Sequence, residues 1–71
     1  MPDSIYKIIE LVGTSETSWE EAAKNAVDRA GQSLRDIRIA EIVATDMKVE
    51  DNKVVAYRAR VKVSFKYEEG T

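Results

Sequence analysis

The chain has 71 residues, a formal net charge of −2 and 34% charged residues of both signs. That size excludes more than one domain, and the balance excludes the strongly basic character of a polyanion-binding chain. Cysteine and histidine are both absent, so disulfides, thiolate and imidazole metal sites and a histidine general base are excluded together.

A domain of this length buries only ~60% of the surface its unfolded chain exposes. With no disulfide available, oligomerisation is the remaining stabilising device, alone or with a carboxylate-bound metal. No apolar run approaches the ~18 residues of a membrane-spanning helix. Met1-Pro2-Asp3-Ser4 lacks the basic start and apolar core of a signal peptide. The expectation is one soluble, cytoplasmic domain over residues 1–71 with no membrane partner.

Ile5 to Val12, "IYKIIELV", predicts a first strand that stops at Gly13. Its apolar residues occupy both parities, the mark of a strand covered on both sides; one helix cannot supply both covers. Gly13 to Ser18 holds turn and capping residues. Ser18 with Glu21 predicts a capping box, and Thr17 with Glu20 is the competing register. Trp19, Ala22, Ala23, Ala26, Val27 and Ala30 then follow the spacing of an amphipathic helix, ending between Gly31 and Ser33. Trp19 reads as part of its core face. Alanine is the best helix former, but its concentration on the apolar face also predicts close approach of helix and sheet.

Ile37 to Met47 predicts a second strand, with Ile37, Ile39, Glu41 and Val43 on one face and Arg38, Ala40, Ile42 and Ala44 on the other. Val49 to Lys53 supplies polar turn residues. Val54 to Tyr67 alternates strictly: Val55, Tyr57, Ala59, Val61, Val63, Phe65 and Tyr67 against Arg58, Arg60, Lys62, Ser64 and Lys66. Such alternation predicts a long antiparallel strand with one buried face. The fold class is α+β in the order β-α-β-β, a three-stranded antiparallel sheet wrapped around one helix. The outer face of that sheet, with Ile37, Ile39, Val43 and a row of cations, is too apolar for a plain solvent face, and other copies of the chain are expected to cover it.

"YKIIELVGTSETSWEEAAKNAVDRA", "DIRIAEIVATDM" and "YRARVKVSFKYE" together resemble the dodecins, over Ile5 to about Glu68. The "GTS" turn, the small-residue helix ending in "RA" and the "AE" of the second strand carry the resemblance. It implies a homododecamer enclosing a hollow shell, and a small ligand held by the assembly. In most dodecins that ligand is a flavin: a second-strand tryptophan stacks on the isoalloxazine ring, and a third-strand glutamine after a tyrosine hydrogen-bonds its polar edge. Those positions are Ile39 and Arg58 here. Ile39 offers apolar contact without a flat platform, and Arg58 replaces an amide by a donor-only cation. The sequence is similar, through "TSWE", "DIR", "DM" and "SFK", to a flavin-poor branch associated with calcium. Trp19, at the helix start, is no substitute platform.

On that reading Asp46, near the end of the second strand, is the leading metal candidate, because related copies would bring several such carboxylates to one axis. Calcium or another hard cation takes oxygen ligands of this kind. Asp36 is a second candidate, although an Asp entering a strand also bonds local backbone. "DMKVEDNK" does not match an EF-hand loop, and a polar hairpin loop is its simpler reading. The cations of the third strand read as partners in cross-strand and inter-subunit ion pairs rather than as a nucleic-acid footprint, given a pI of 5.1. No phosphate loop or catalytic motif is present, and Ser15, Thr17 and Ser18 have no neighbouring base. The expectation is therefore a non-enzymatic shell that binds or stores a metal ion such as calcium, its flavin binding weakened. A flavin-storing dodecin with a modified pocket and a structural particle without small ligand are the alternatives.

Overall fold

The computed structural model describes residues 5–66. In chain order these form β1 (Tyr6–Ser15), α1 (Trp19–Ala30), β2 (Ile37–Glu50) and β3 (Lys53–Lys66). The Tyr67 end of the third strand and the reading of Met1–Ser4 lie outside the described residues. β3 is central, pairing antiparallel with β1 on one side and β2 on the other. The most strictly alternating stretch of the sequence thus takes the position where both backbone edges are hydrogen-bonded. No helix among the described residues is long and apolar enough to cross a membrane.

The helix begins as the capping residues dictate, with one change. Ser18 is the N-cap, and its hydroxyl accepts from the Glu21 N–H at 3.0 Å. The Glu21 carboxylate does not complete the box. It accepts instead from the Ser15 hydroxyl at 2.6 Å. Ser15 Oγ in turn accepts from the N–H of Thr17 at 2.9 Å and of Ser18 at 3.4 Å. The buried Ser15 therefore does for the first turn what the carboxylate does in a regular capping box. The helix ends at Ala30, and the Gly31 N–H donates to the Val27 carbonyl at 2.9 Å.

Ala22, Ala23, Ala26 and Ala30 of α1 are buried, and the first three form the core with Ala59, Val61 and Val63 of β3. Ile9, Leu11, Val27, Leu34 and Ile37 pack around its margin. The close approach inferred from the alanines is real, and glycine completes it. β1 does not stop at Gly13 but runs through it to Ser15, with Gly13 opposite Ala59. A Cβ on Gly13 would collide with the carbonyl oxygen of Ala22 and lie 2.9 Å from Ala26 Cβ. Helix backbone lies almost directly on strand backbone there, which only glycine facing alanine permits.

The predicted faces of β2 need correction. Register shifts fall between Ile37 and Ile39, between Ile42 and Ala44, and between Lys48 and Val49. Each of the first two inserts an extra β2 residue and reverses the facing of the residues beyond it. Ile37 therefore pairs with Phe65 and borders the core, whereas Ile39, Glu41, Ala44 and Asp46 lie opposite Ser64, Lys62, Arg60 and Arg58 on the outer face. The hairpin is also tighter than the polar run suggested. Glu50 pairs with Lys53, and Asp51 and Asn52 have φ of 51° and 63°. Two central residues with positive φ match the right-handed twist of the strands they join.

Trp19 departs from its predicted core position. It is 38% exposed, and its ring meets Tyr57 edge-on at 5.0 Å between centroids. Its indole N–H donates to the Asp46 carbonyl at 3.0 Å. The residue works as a tie between the helix start and β2.

Candidate ligand site on the outer face

The register of the three strands sets the rows of side chains on the outer face. Thr14, Arg58 and Asp46 form one row; Val12, Arg60 and Ala44 the next; then Glu10, Lys62 and Glu41; then Ile8, Ser64 and Ile39. Lys62 has a carboxylate opposite it on each neighbouring strand, Arg58 has Asp46 on β2 alone, and Arg60 has none in its own row and reaches diagonally to Glu10. Arg60 Nε lies 3.5 Å from a carboxylate oxygen of Glu10.

Arg58 and Asp46 are cross-strand partners and form a bidentate pair. Nε donates to Oδ1 at 2.7 Å, and the second guanidinium contact reaches Oδ2 at 2.8 Å. The guanidinium fork matches the two carboxylate oxygens, the strongest common geometry for such a pair. The hydrogen bond from Arg58 holds the Asp46 carboxyl below its usual value, helped by the charges of Arg58 and Arg60; the same hydrogen bond raises Arg58. Both side chains remain about half open to solvent, so the pair contributes little to stability.

Val12, Ala44, Asp46, Arg58 and Arg60 line a cup of about 110 Å³. A larger recess of about 320 Å³ lies between α1 and β1, lined chiefly by Ile9, Leu11, Ala26, Ala30 and Leu34. It is apolar packing surface with Arg29 at its rim, so the smaller, charged cup is the candidate site.

The four residues singled out in the sequence are not brought together within one chain. Asp46 and Arg58 touch, although the sequence assigns them to different ligands. Ile39 is 65% exposed on the same face. It lies opposite Ser64, six β3 residues from Arg58, or ~20 Å at the rise of a strand. Asp36 precedes β2 with φ of 59°, ten residues before Asp46. Among the described residues no three carboxylates gather as a metal-binding group. Val12, Ala44 and Arg60 join the site without having been expected there. Their only sequence signal is alternation, and alternation does not say which strands are neighbours.

A sheet in the order β1-β3-β2 over one alanine-faced helix, with its charged outer face open, defines a class of small β-α-β-β proteins. The chain belongs to the dodecin family, whose model matches residues 5–68. It is 49% identical over 63 residues to the calcium dodecin of Mycobacterium tuberculosis, covering 89% of each chain. Its fold matches a solved dodecin of Streptomyces coelicolor with a TM-score of 0.90 at 34% identity, over 99% of this chain and 100% of that one. It matches the M. tuberculosis calcium dodecin structure, described as calcium-chelating with a novel calcium-binding site, with a TM-score of 0.83 at 46% identity, over 96% and 97%.

Proposed function

We propose that this chain is the subunit of a non-enzymatic, cytoplasmic dodecin shell of twelve copies that binds or stores a hard cation, calcium above others, with little affinity for flavins. The observation that carries the reading is the uncovered sheet. Every residue of β2 after Ile37 is exposed, including Ile39, Ile42, Val43, Met47 and Val49. An apolar surface of this extent marks an interface, and a second copy is the partner that a homo-oligomeric family supplies.

The cation is favoured by the similarity to calcium dodecin, and by Asp46 and Asp36 as oxygen donors that symmetry would multiply. The loss of flavin follows from Ile39 and Arg58. Ile39 gives no flat surface for stacking, and the guanidinium of Arg58 is already engaged by Asp46. Because Ile39 and Arg58 stand ~20 Å apart along one chain, any ligand touching both must lie between copies. Native mass spectrometry on the purified protein, with calcium and flavin quantified in the same sample, tests this. A dodecamer that takes up calcium and no riboflavin is expected; a folded monomer at micromolar concentration, or a dodecamer carrying flavin and no metal, would overturn it.

A further inference from the structure

β3 is longer than anything that covers it. Its 14 residues extend ~46 Å, against ~18 Å for the 12 residues of α1. β1 accompanies β3 only as far as Ser15 opposite Tyr57, and Trp19 at the helix start stands against that same Tyr57. Beyond it β2 and β3 run on as a two-stranded arm, Lys48 to Ala56, closed by the turn at Asp51 and Asn52. Lys48 to Val55 are all exposed. The arm's apolar residues gather at one point: the register shifts after Lys48, so that Val54 and Val55 stand against the single residue Val49. A lone two-stranded hairpin is marginally stable at best in water. This one carries three valines on open strands, and needs a cover that its own chain does not supply.

The matching concavity is the recess of about 320 Å³ between α1 and β1, lined chiefly by Ile9, Leu11, Ala26, Ala30 and Leu34. The arm cannot reach the recess of its own chain. Ile9 and Leu11 pair with Val63 and Val61, the nearer of them seven β3 residues beyond Val54, or ~23 Å. Charge agrees with shape. Lys48 and Glu50 on the arm satisfy each other at 3.5 Å. Asp51 at the tip and Arg29 at the rim of the recess belong to no ion pair among the described residues.

We propose that the β2–β3 arm of one copy seats Val49, Val54 and Val55 in the α1–β1 recess of the next, with Asp51 against Arg29. The occupant is a second copy because both halves of the contact belong to this chain, at places that one chain cannot join. Arm and recess are different surfaces, so the contact is head-to-tail. Such contacts close into rings or grow into open filaments, and a shell of fixed size selects the ring. The inference rests on the self-association proposed above and on none of its ligand assignments.

The chain has no cysteine, so introduced thiols are the only ones present. Copies carrying Asp51→Cys are co-expressed with copies carrying Arg29→Cys, and the purified assembly is treated with a short bifunctional maleimide. Covalent dimers joining the two kinds of copy are expected. Copies carrying Lys24→Cys, on the helix but outside the recess, should give none with the Asp51→Cys copies. In parallel, Val54→Asp, which puts a charge into the apolar contact, should lose the assembled mass at micromolar concentration in native mass spectrometry, while Val54→Ile keeps it. Circular dichroism checks that the variants fold, and if Val54→Asp does not, the cross-links decide. An assembled protein with no mixed cross-link, or one that cross-links through Asp51→Cys copies alone, would overturn the seating of the arm and leave the shell standing. So would a folded Val54→Asp protein of unchanged mass. A natural protein that is a folded monomer would overturn both.

Discussion

Gly13→Ala is the most informative single change to the fold, because the structure sets its size. The added Cβ would stand 2.9 Å from Ala26 Cβ and closer still to the Ala22 carbonyl oxygen. Carbon atoms in optimal contact lie ~3.5–4.0 Å apart, so relief needs a displacement of about 1 Å. Neither obstacle can turn aside: one is helix backbone and the other a methyl with no rotamer to change. The strand cannot yield easily either, since Gly13 is paired with Ala59 in the central strand. The helix must lift. A radial gap of this size forfeits a quarter to a half of each dispersion contact, and it would open beneath Ala22 and Ala26 against Ala59 and Val61, the centre of the core. Overpacking of this kind costs ~1–3 kcal/mol, with the upper end expected against backbone. A 71-residue domain has ~3.5–10 kcal/mol in total, so the variant should lose a large share of it. Urea unfolding followed by circular dichroism, with native mass spectrometry at each step, measures the loss. A Gly13→Ala protein with an unchanged unfolding midpoint and intact assembly would refute the close-contact account of the glycine and of the alanine stripe.

Ala26→Leu attacks the same contact from the helix side and should destabilise by ~1–3 kcal/mol; thermal unfolding at matched assembly state decides, and unchanged stability would count against the account. Ile39→Trp with Arg58→Gln should raise riboflavin affinity roughly tenfold, since stacking adds ~0.5–1.5 kcal/mol per aromatic contact across a symmetric pair and ~1.4 kcal/mol is a factor of ten. Quenching of titrated riboflavin fluorescence reads it directly, and no gain would mean that other pocket residues decide. Asp46 is held below the usual carboxylate value by Arg58, so its contribution to stability is present above the unfolded-state value and is lost as pH falls through the folded one. The small difference in urea midpoint between the natural protein and Asp46→Asn should therefore be constant from pH 8 to 5 and shrink below the usual carboxylate range; a difference that grows in acid would contradict the pairing.

Local pattern alone determined much of this protein. The spacing of Ala22, Ala23, Ala26 and Ala30 specifies a helix face, and the alternation of Val54 to Phe65 specifies a strand with one buried side. Both are set by backbone periods of 3.6 and 2 that any neighbour must accept. The composition, without Cys or His, likewise fixed which chemistry the chain must forgo. Three things belonged to the tertiary structure. The two β2 bulges moved Ile37 to the core margin and Asp46 to the outer face, and bulges arise from pairing, so alternation cannot announce them. Trp19 stands 38% exposed at the helix start rather than in the core, its ring against Tyr57 and its indole N–H on the Asp46 carbonyl, partners that come from other strands and that helix periodicity does not name. The union of Asp46 with Arg58 had no sequence signature at all. Twelve residues separate them, and only the register of β2 on β3 makes them neighbours, since side-chain contact across a sheet depends on which residues the strands place opposite one another.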